Sequence, residues 1–252
     1  MVITAETPVR DIVIDSPAAI PVLEQFGIDY CCGGKHTLAE ACIQRNQSIA
    51  LVLEELEHSG RDATAPELQW QTAPLSDLID HIVLTHHAFT RDQLALIQEL
   101  ASKVERRHGT AHPEVHEVKE ALAIIGAELT HHFFCEENVL FPHIKQLDQK
   151  QTSVAHPMFD TMQQPVTQMM KEHDQAGDEL RALREITGNY QPPADACTTY
   201  RAFYRAMEDL EHDLHRHIHL ENNILFPKAI ELEKKLNTQD TCDLNRRTYS
   251  IM

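Results

Sequence analysis

Leu75, Leu78, Ile79, Ile82 and Val83, then Leu94, Ile97 and Val104, recur at steps of three and four over residues 75–107. Positions so spaced share one face of an α-helix. The same pattern returns with Leu122, Ile125, Leu129, Val139 and Leu140 over about 114–148, and again over about 159–187 and 195–236. HGTAHPE breaks the first helix from the second, residues 149–157 read as a loop, and TGNYQPPAD follows the third. Pro142 is expected to kink the second helix without ending it. Alternation of β-branched residues is weak, and glycine occurs only eight times. The expected fold class is therefore all-α: a small N-terminal helical domain, then an antiparallel four-helix bundle.

The first 60 residues follow a shorter rhythm. SPAAIPVLEQFGI reads as a Ser16 N-cap, Pro17 at the first helical position and a helix ended by Gly27. DYCCGGKH reads as a turn, and TLAEACIQRN and SIALVLEEL as two helices capped by Thr37 and Ser48. Residues 61–74 are expected to be a linker, 75–236 the bundle and 237–252 a polar tail.

Charge and cysteine usage narrow the class. The formal net charge of −17 opposes a nucleic-acid partner, which needs a positive field. No stretch of about 18 apolar residues predicts a membrane span, and the N-terminus lacks the pattern of a signal peptide. Six scattered cysteines do not form a disulfide framework, so a reducing cytoplasm is the expected compartment. Cys42 and Cys135 read as packing residues, Cys197 and Cys242 as loop or tail thiols.

One string occurs twice: HFFCEENVLFP at 132–142 and HIHLENNILFP at 217–227. His132 with Glu136, and His217 with Glu221, each point one way on a helix, on faces shared with Leu129, Leu140, Leu214 and Leu225. A lone buried carboxylate costs several kcal/mol, so two inward pairs call for positive charge between them. Helix three adds His173, and helix one His86 or His87, with the apolar stripe leaning to His86. Four histidines and two glutamates exceed one tetrahedral zinc. They suit two metals, each taking two imidazoles and a share of both carboxylates, with a solvent-derived oxo or hydroxo bridge and one open position. Iron fits such mixed ligands best, manganese second.

With FGIDYCCGGKHTLAEAC (26–42), HHAF (86–89), KVERRH (103–108) and KEHDQAG (171–177), these strings resemble the iron–sulfur cluster repair di-iron proteins over nearly the whole chain. The resemblance implies a hemerythrin-like bundle after a small N-terminal domain carrying the CCGG motif. It implies His87, His132, Glu136, His173, His217 and Glu221 as ligands of two iron ions per chain, and it selects His87 over His86. His131 and His219 would flank the site. Ordinary hemerythrins carry a second histidine where this chain has Gly177. They also carry an aspartate five residues after the last histidine, where this chain has Glu221 at four. The resemblance therefore implies a more labile or more reactive centre than an oxygen carrier has. Glu128, one turn before His132, and Glu172, beside His173, are expected to order a ligand histidine or line an access path. Gly33 and Gly34 would leave Cys31 and Cys32 accessible, and Lys35, His36 and the helix start at Thr37 would favour thiolate. The implied function is repair of clusters damaged by nitrosative or oxidative stress, with iron donation to damaged iron–sulfur proteins as clients. The other readings are a reductase of nitric oxide or oxygen, and a hemerythrin-like sensor of O2 or NO. A homodimer is implied, with no nucleic-acid or membrane partner.

Overall fold

A computed structural model describes residues 2–59, 70–150 and 158–249. Helices are the regular elements among these residues, apart from one bridge pairing Pro8 with Thr37. By its contacts the chain divides into two units, Met1–Pro74 with His215–Lys228, and Leu75–Leu214 with Ala229–Met252.

The first unit holds α1 (Val9–Asp15), a 3-10 turn (Pro17–Ala19), α2 (Ile20–Gln25), α3 (Leu38–Gln44) and α4 (Ile49–Ser59). Helix α1 was not foreseen. It buries Val9, Ile12 and Val13 against Leu23, Ile28, Leu38 and Val52. Ser16 makes no side-chain cap, because the helix after it starts as the tighter 3-10 turn. Gly27 ends the next helix with φ of 65°, a conformation that suits glycine. Thr37 does cap α3, in a reciprocal capping box with Glu40. The helical stretch 215–228, expected to serve the bundle alone, belongs by contacts to this unit. Arg216 reaches Glu24, and the Asn223 side chain donates to the Tyr30 carbonyl at 3.1 Å.

The second unit is the bundle. Its rods are α5 (Leu75–His81) with α6 (Ala88–His108), α7 (Glu114–Cys135) with α8 (Phe141–Lys150), α9 (Gln163–Ile186), and, outside His215–Lys228, α10 (Thr198–Leu220) with α11 (Phe226–Tyr249). Its core joins Ile97, Val115, Val118, Phe133, Leu183, Phe203 and Met207. Gln93 donates to the Ala206 carbonyl, and Arg184 grips Glu211. The backbone stays helical through Tyr249, past the expected end at 236, since residues 237–249 contain neither glycine nor proline to stop it. Residues 60–69, most of the expected linker, and 151–157, most of the expected loop, lie outside the described residues.

Three rods are interrupted by π-helical turns at Ile82–His87, Glu136–Leu140 and Glu221–Leu225. A π turn holds one residue more than an α turn and is common at functional sites. Pro142 and Pro227 stand just after two of these turns. A proline ring clashes with the carbonyl four residues back and offers no N–H. The wider turn accommodates both defects, so the rod continues. The turn at Ile82–His87 has no such proline.

Candidate metal centre

The π turns decide which side chains meet. In an unbroken α-helix the residue below Ile82 would be His86, as the stripe suggested. The extra residue advances the register by one and brings in His87, which is fully buried. His86 turns instead to Asp213, with Nδ1 2.9 Å from Oδ1. Glu136 and Glu221 each open a π turn and are 0 % exposed.

Four imidazoles direct Nε2 at the two carboxylates or at each other. His87 Nε2 lies 3.3 Å from Glu136 Oε2, and His132 Nε2 lies 3.2 Å from Glu136 Oε1. His217 Nε2 is 3.0 Å from Glu221 Oε1, and the Nε2 atoms of His132 and His173 are 3.0 Å apart. Two sets of donor atoms gather within 4.8 Å: His87, Glu136, His217 and Glu221, and His132, Glu136, His173 and Glu221. Both carboxylates belong to both sets. Two donors at right angles, each about 2.1 Å from one metal, stand about 3.0 Å apart. The His132–His173 spacing matches that edge. The donors thus suit metal cations, in two sets that share Glu136 and Glu221.

Carboxylates behind the imidazoles fix their orientation. Glu172 Oε2 meets His132 Nδ1 at 2.7 Å, and Glu137 Oε1 meets His87 Nδ1 at 2.7 Å. Each leaves Nε2 facing inward. The bond with His132 holds the Glu172 carboxyl below its ordinary range. Burial pushes the Glu137 carboxyl up, but hydrogen bonds from His87 and Arg91 outweigh it and hold that group down. The His87 ring lies parallel to Phe133 at 4.0 Å and to Phe141 at 5.9 Å. Glu172 thus stands behind the His132 ring. Glu128 is exposed, and Gln175 donates to it at 3.1 Å. Glu137 was missed, its signal being the second glutamate of HFFCEENVLFP. His131 is exposed beside Cys135. His219 is buried edge-on to Tyr30, and burial pushes its pKa down to about 4.

The model of the hemerythrin HHE cation binding domain matches residues 78–229, and the ScdA_N domain of unknown function matches 5–59. The chain is 36 % identical to the iron-sulfur cluster repair protein YtfE of Escherichia coli O157:H7, over 89 % of this chain and 97 % of that one. It is 38 % identical to the protein of that name from Cronobacter sakazakii, over 91 % and 98 %. The chain belongs to the hemerythrin-domain family of YtfE repair proteins. The domain that defines this family binds cations, and the clustered histidines and glutamates are where this member of it has the donors to do so. Among the described residues no helix is long and apolar enough to cross a membrane.

The dithiol turn of this YtfE-family chain differs from expectation. Cys31 is buried and Cys32 half-buried, with Sγ atoms 3.8 Å apart. Gly34 explains the burial. A Cβ there would meet the Tyr30 carbonyl at 2.6 Å and the Arg10 Cβ at 2.9 Å, so glycine lets the turn close on α1. Asp29 Oδ1 accepts from the backbone N–H groups of Cys31 and Cys32, at 2.9 and 3.0 Å, and lies 3.2 Å from Cys31 Sγ. The hydrogen bond to Cys32, then burial and the Asp29 carboxylate, push the Cys31 thiol well above its ordinary range. Cys31 is thus a protonated, covered thiol at neutral pH, not the accessible thiolate expected. Lys35 and His36 are exposed, and His36 pairs with Glu40 instead.

Proposed function

We propose that this chain repairs iron–sulfur clusters damaged by nitrosative or oxidative stress, and that it does so by donating iron. His87, His132, Glu136, His173, His217 and Glu221 would hold two iron ions, with Glu136 and Glu221 shared between them. The sharing of both carboxylates by both donor sets is the observation that carries this reading. Bound there, iron supplies a redox-active pair of Lewis-acidic ions. The relatives named as cluster repair proteins supply the client class, damaged iron–sulfur proteins.

The chain's own groups suit a loan of iron. Glu172 and Glu137 hold the Nδ1 sides of His132 and His87, so Nε2 is presented for binding. Glu136 and Glu221 would each hold a cation through one carboxylate oxygen or both, a freedom that needs no unfolding of their helices. Phe133 and Phe141 keep water from the His87 ring. The Cys31–Cys32 turn would handle electrons or metal after its buried thiol is uncovered. A homodimer in the cytoplasm, with NO or O2 as small-molecule partners, completes the proposal.

The test is an anaerobic preparation with iron counted per chain, followed by addition of the ferrous protein to a damaged [4Fe–4S] enzyme. A chelator control and the Glu136→Ala and His132→Ala variants run beside it. Two irons per chain, and client recovery that the variants lack, are expected. Two irons without recovery, but with N2O formed from NO, would replace donation by nitric oxide reduction. No iron would reject the site.

A further inference from the structure

The end of α6 and the start of α10 bring together a second set of metal-binding side chains. His108 closes α6, and the backbone N–H of His112 donates to the His108 carbonyl at 2.8 Å. Asp195 and Cys197 lie just before α10. His112 Nε2 stands 3.0 and 3.1 Å from the two Asp195 oxygens. His108 Nε2 stands 3.2 Å from Cys197 Sγ. One donor atom each from His108, His112 and Asp195 fall within 4.8 Å of one another. His112 Nδ1 meets Glu114 Oε1 at 3.1 Å. A carboxylate thus holds the far nitrogen of His112, as carboxylates orient histidines that ligate metals. From His87 to His108 the chain advances 21 residues along α6, about 30 Å at about 1.5 Å per residue. The cluster is therefore separate from the carboxylate-bridged centre.

We propose that His108, His112, Asp195 and Cys197 form a second cation site, selective for a zinc-like divalent ion. Two imidazoles, a carboxylate and a thiolate give four donors of the kinds zinc takes in tetrahedral sites. Thiolate and imidazole select such borderline ions over magnesium or calcium. Asp195 and Cys197 as anions would balance the ion's two charges. The ion would tie the α6–α7 connection to the first turn of α10, over the Tyr200 ring that packs 5.3 Å from His108 and 5.7 Å from His112. All four residues are half-buried or exposed, so loading needs no opening of the bundle.

The site carries sulfur and the carboxylate-bridged centre does not, which makes cobalt(II) the probe. Iron-loaded full-length protein titrated anaerobically with cobalt(II) should take up one equivalent with a thiolate-to-cobalt charge-transfer band in the near ultraviolet. Zinc(II) should bleach that band by competition. Cys197→Ser should abolish it. His112→Ala and Glu114→Gln should weaken binding about tenfold or more. Cys135→Ser and the double variant Cys31→Ser, Cys32→Ser should leave it unchanged. Absence of the band in the wild type, its persistence in Cys197→Ser, or its loss in the Cys31, Cys32 variant would each overturn the assignment.

Discussion

At the scale of the residue, the histidines divide by what sits behind the ring. His132 and His87 each have a carboxylate on Nδ1, at 2.7 Å. Removing that charge while keeping shape should loosen the metal without unfolding the helix. Glu172→Gln and Glu137→Gln are each expected to weaken iron binding about 10- to 100-fold, read by competition against a coloured chelator with helix content unchanged. Cys31 offers a test of opposite sign. Its raised pKa keeps it protonated, and a protonated thiol alkylates slowly. Asp29→Asn removes one of the charges that raise it. The pH profile of Cys31 alkylation, followed by peptide mass spectrometry, should then move to lower pH, with faster reaction at pH 8. An unmoved profile would mean that burial and Cys32 alone set the thiol. No local motif announces this environment, because Asp29 acts through a turn that closes only when Gly34 packs on α1.

At the scale of the element, register carries the function. The buried His–Glu pairs on the second and fourth rods were legible because i and i+4 spacing survives up to the start of each π turn, at Glu136 and Glu221. On the first rod the π turn contains both histidines, so a strictly α-helical stripe points one residue short, at His86. The family spacing points to His87 instead, the residue that the π turn buries beside Glu136. Helix α1 was illegible because VRDIVID is short and rich in β-branched residues, and its burial depends on partners far along the chain. Register can be tested by shifting it. Leu84 lies in the first π turn and is 76 % exposed. Deleting it should restore α spacing between Ile82 and His87 and keep iron binding. An alanine inserted after Leu84 should rotate His87 off the carboxylates by about 100° and abolish iron uptake. Iron counting on both proteins decides, and equal loss in both would refute the register account.

At the scale of the whole molecule, the centre is bought with stability. Glu136 and Glu221 are carboxylates at 0 % exposure, and such groups lower the stability of a fold unless cations answer them. Stripping iron should lower the melting temperature, and restoring it should raise it, since the ion binds the native state alone. The double variant Glu136→Gln, Glu221→Gln should melt higher than the stripped wild type and gain nothing from iron. Calorimetry of the four samples checks the signs. The net charge of −17 acts alongside, drawing cations toward the chain and weakening with salt.

If the chain lends iron as proposed, the parallel rings of His87, Phe133 and Phe141 would matter most at the moment an ion leaves. A stacked imidazole whose Nδ1 is held by Glu137 has little freedom to swing away. The vacated nest would keep its shape, and the next ion would meet a donor already aimed. Over many rounds of lending, the pace would be set by the arrival of fresh metal, with no delay for rebuilding the receptacle.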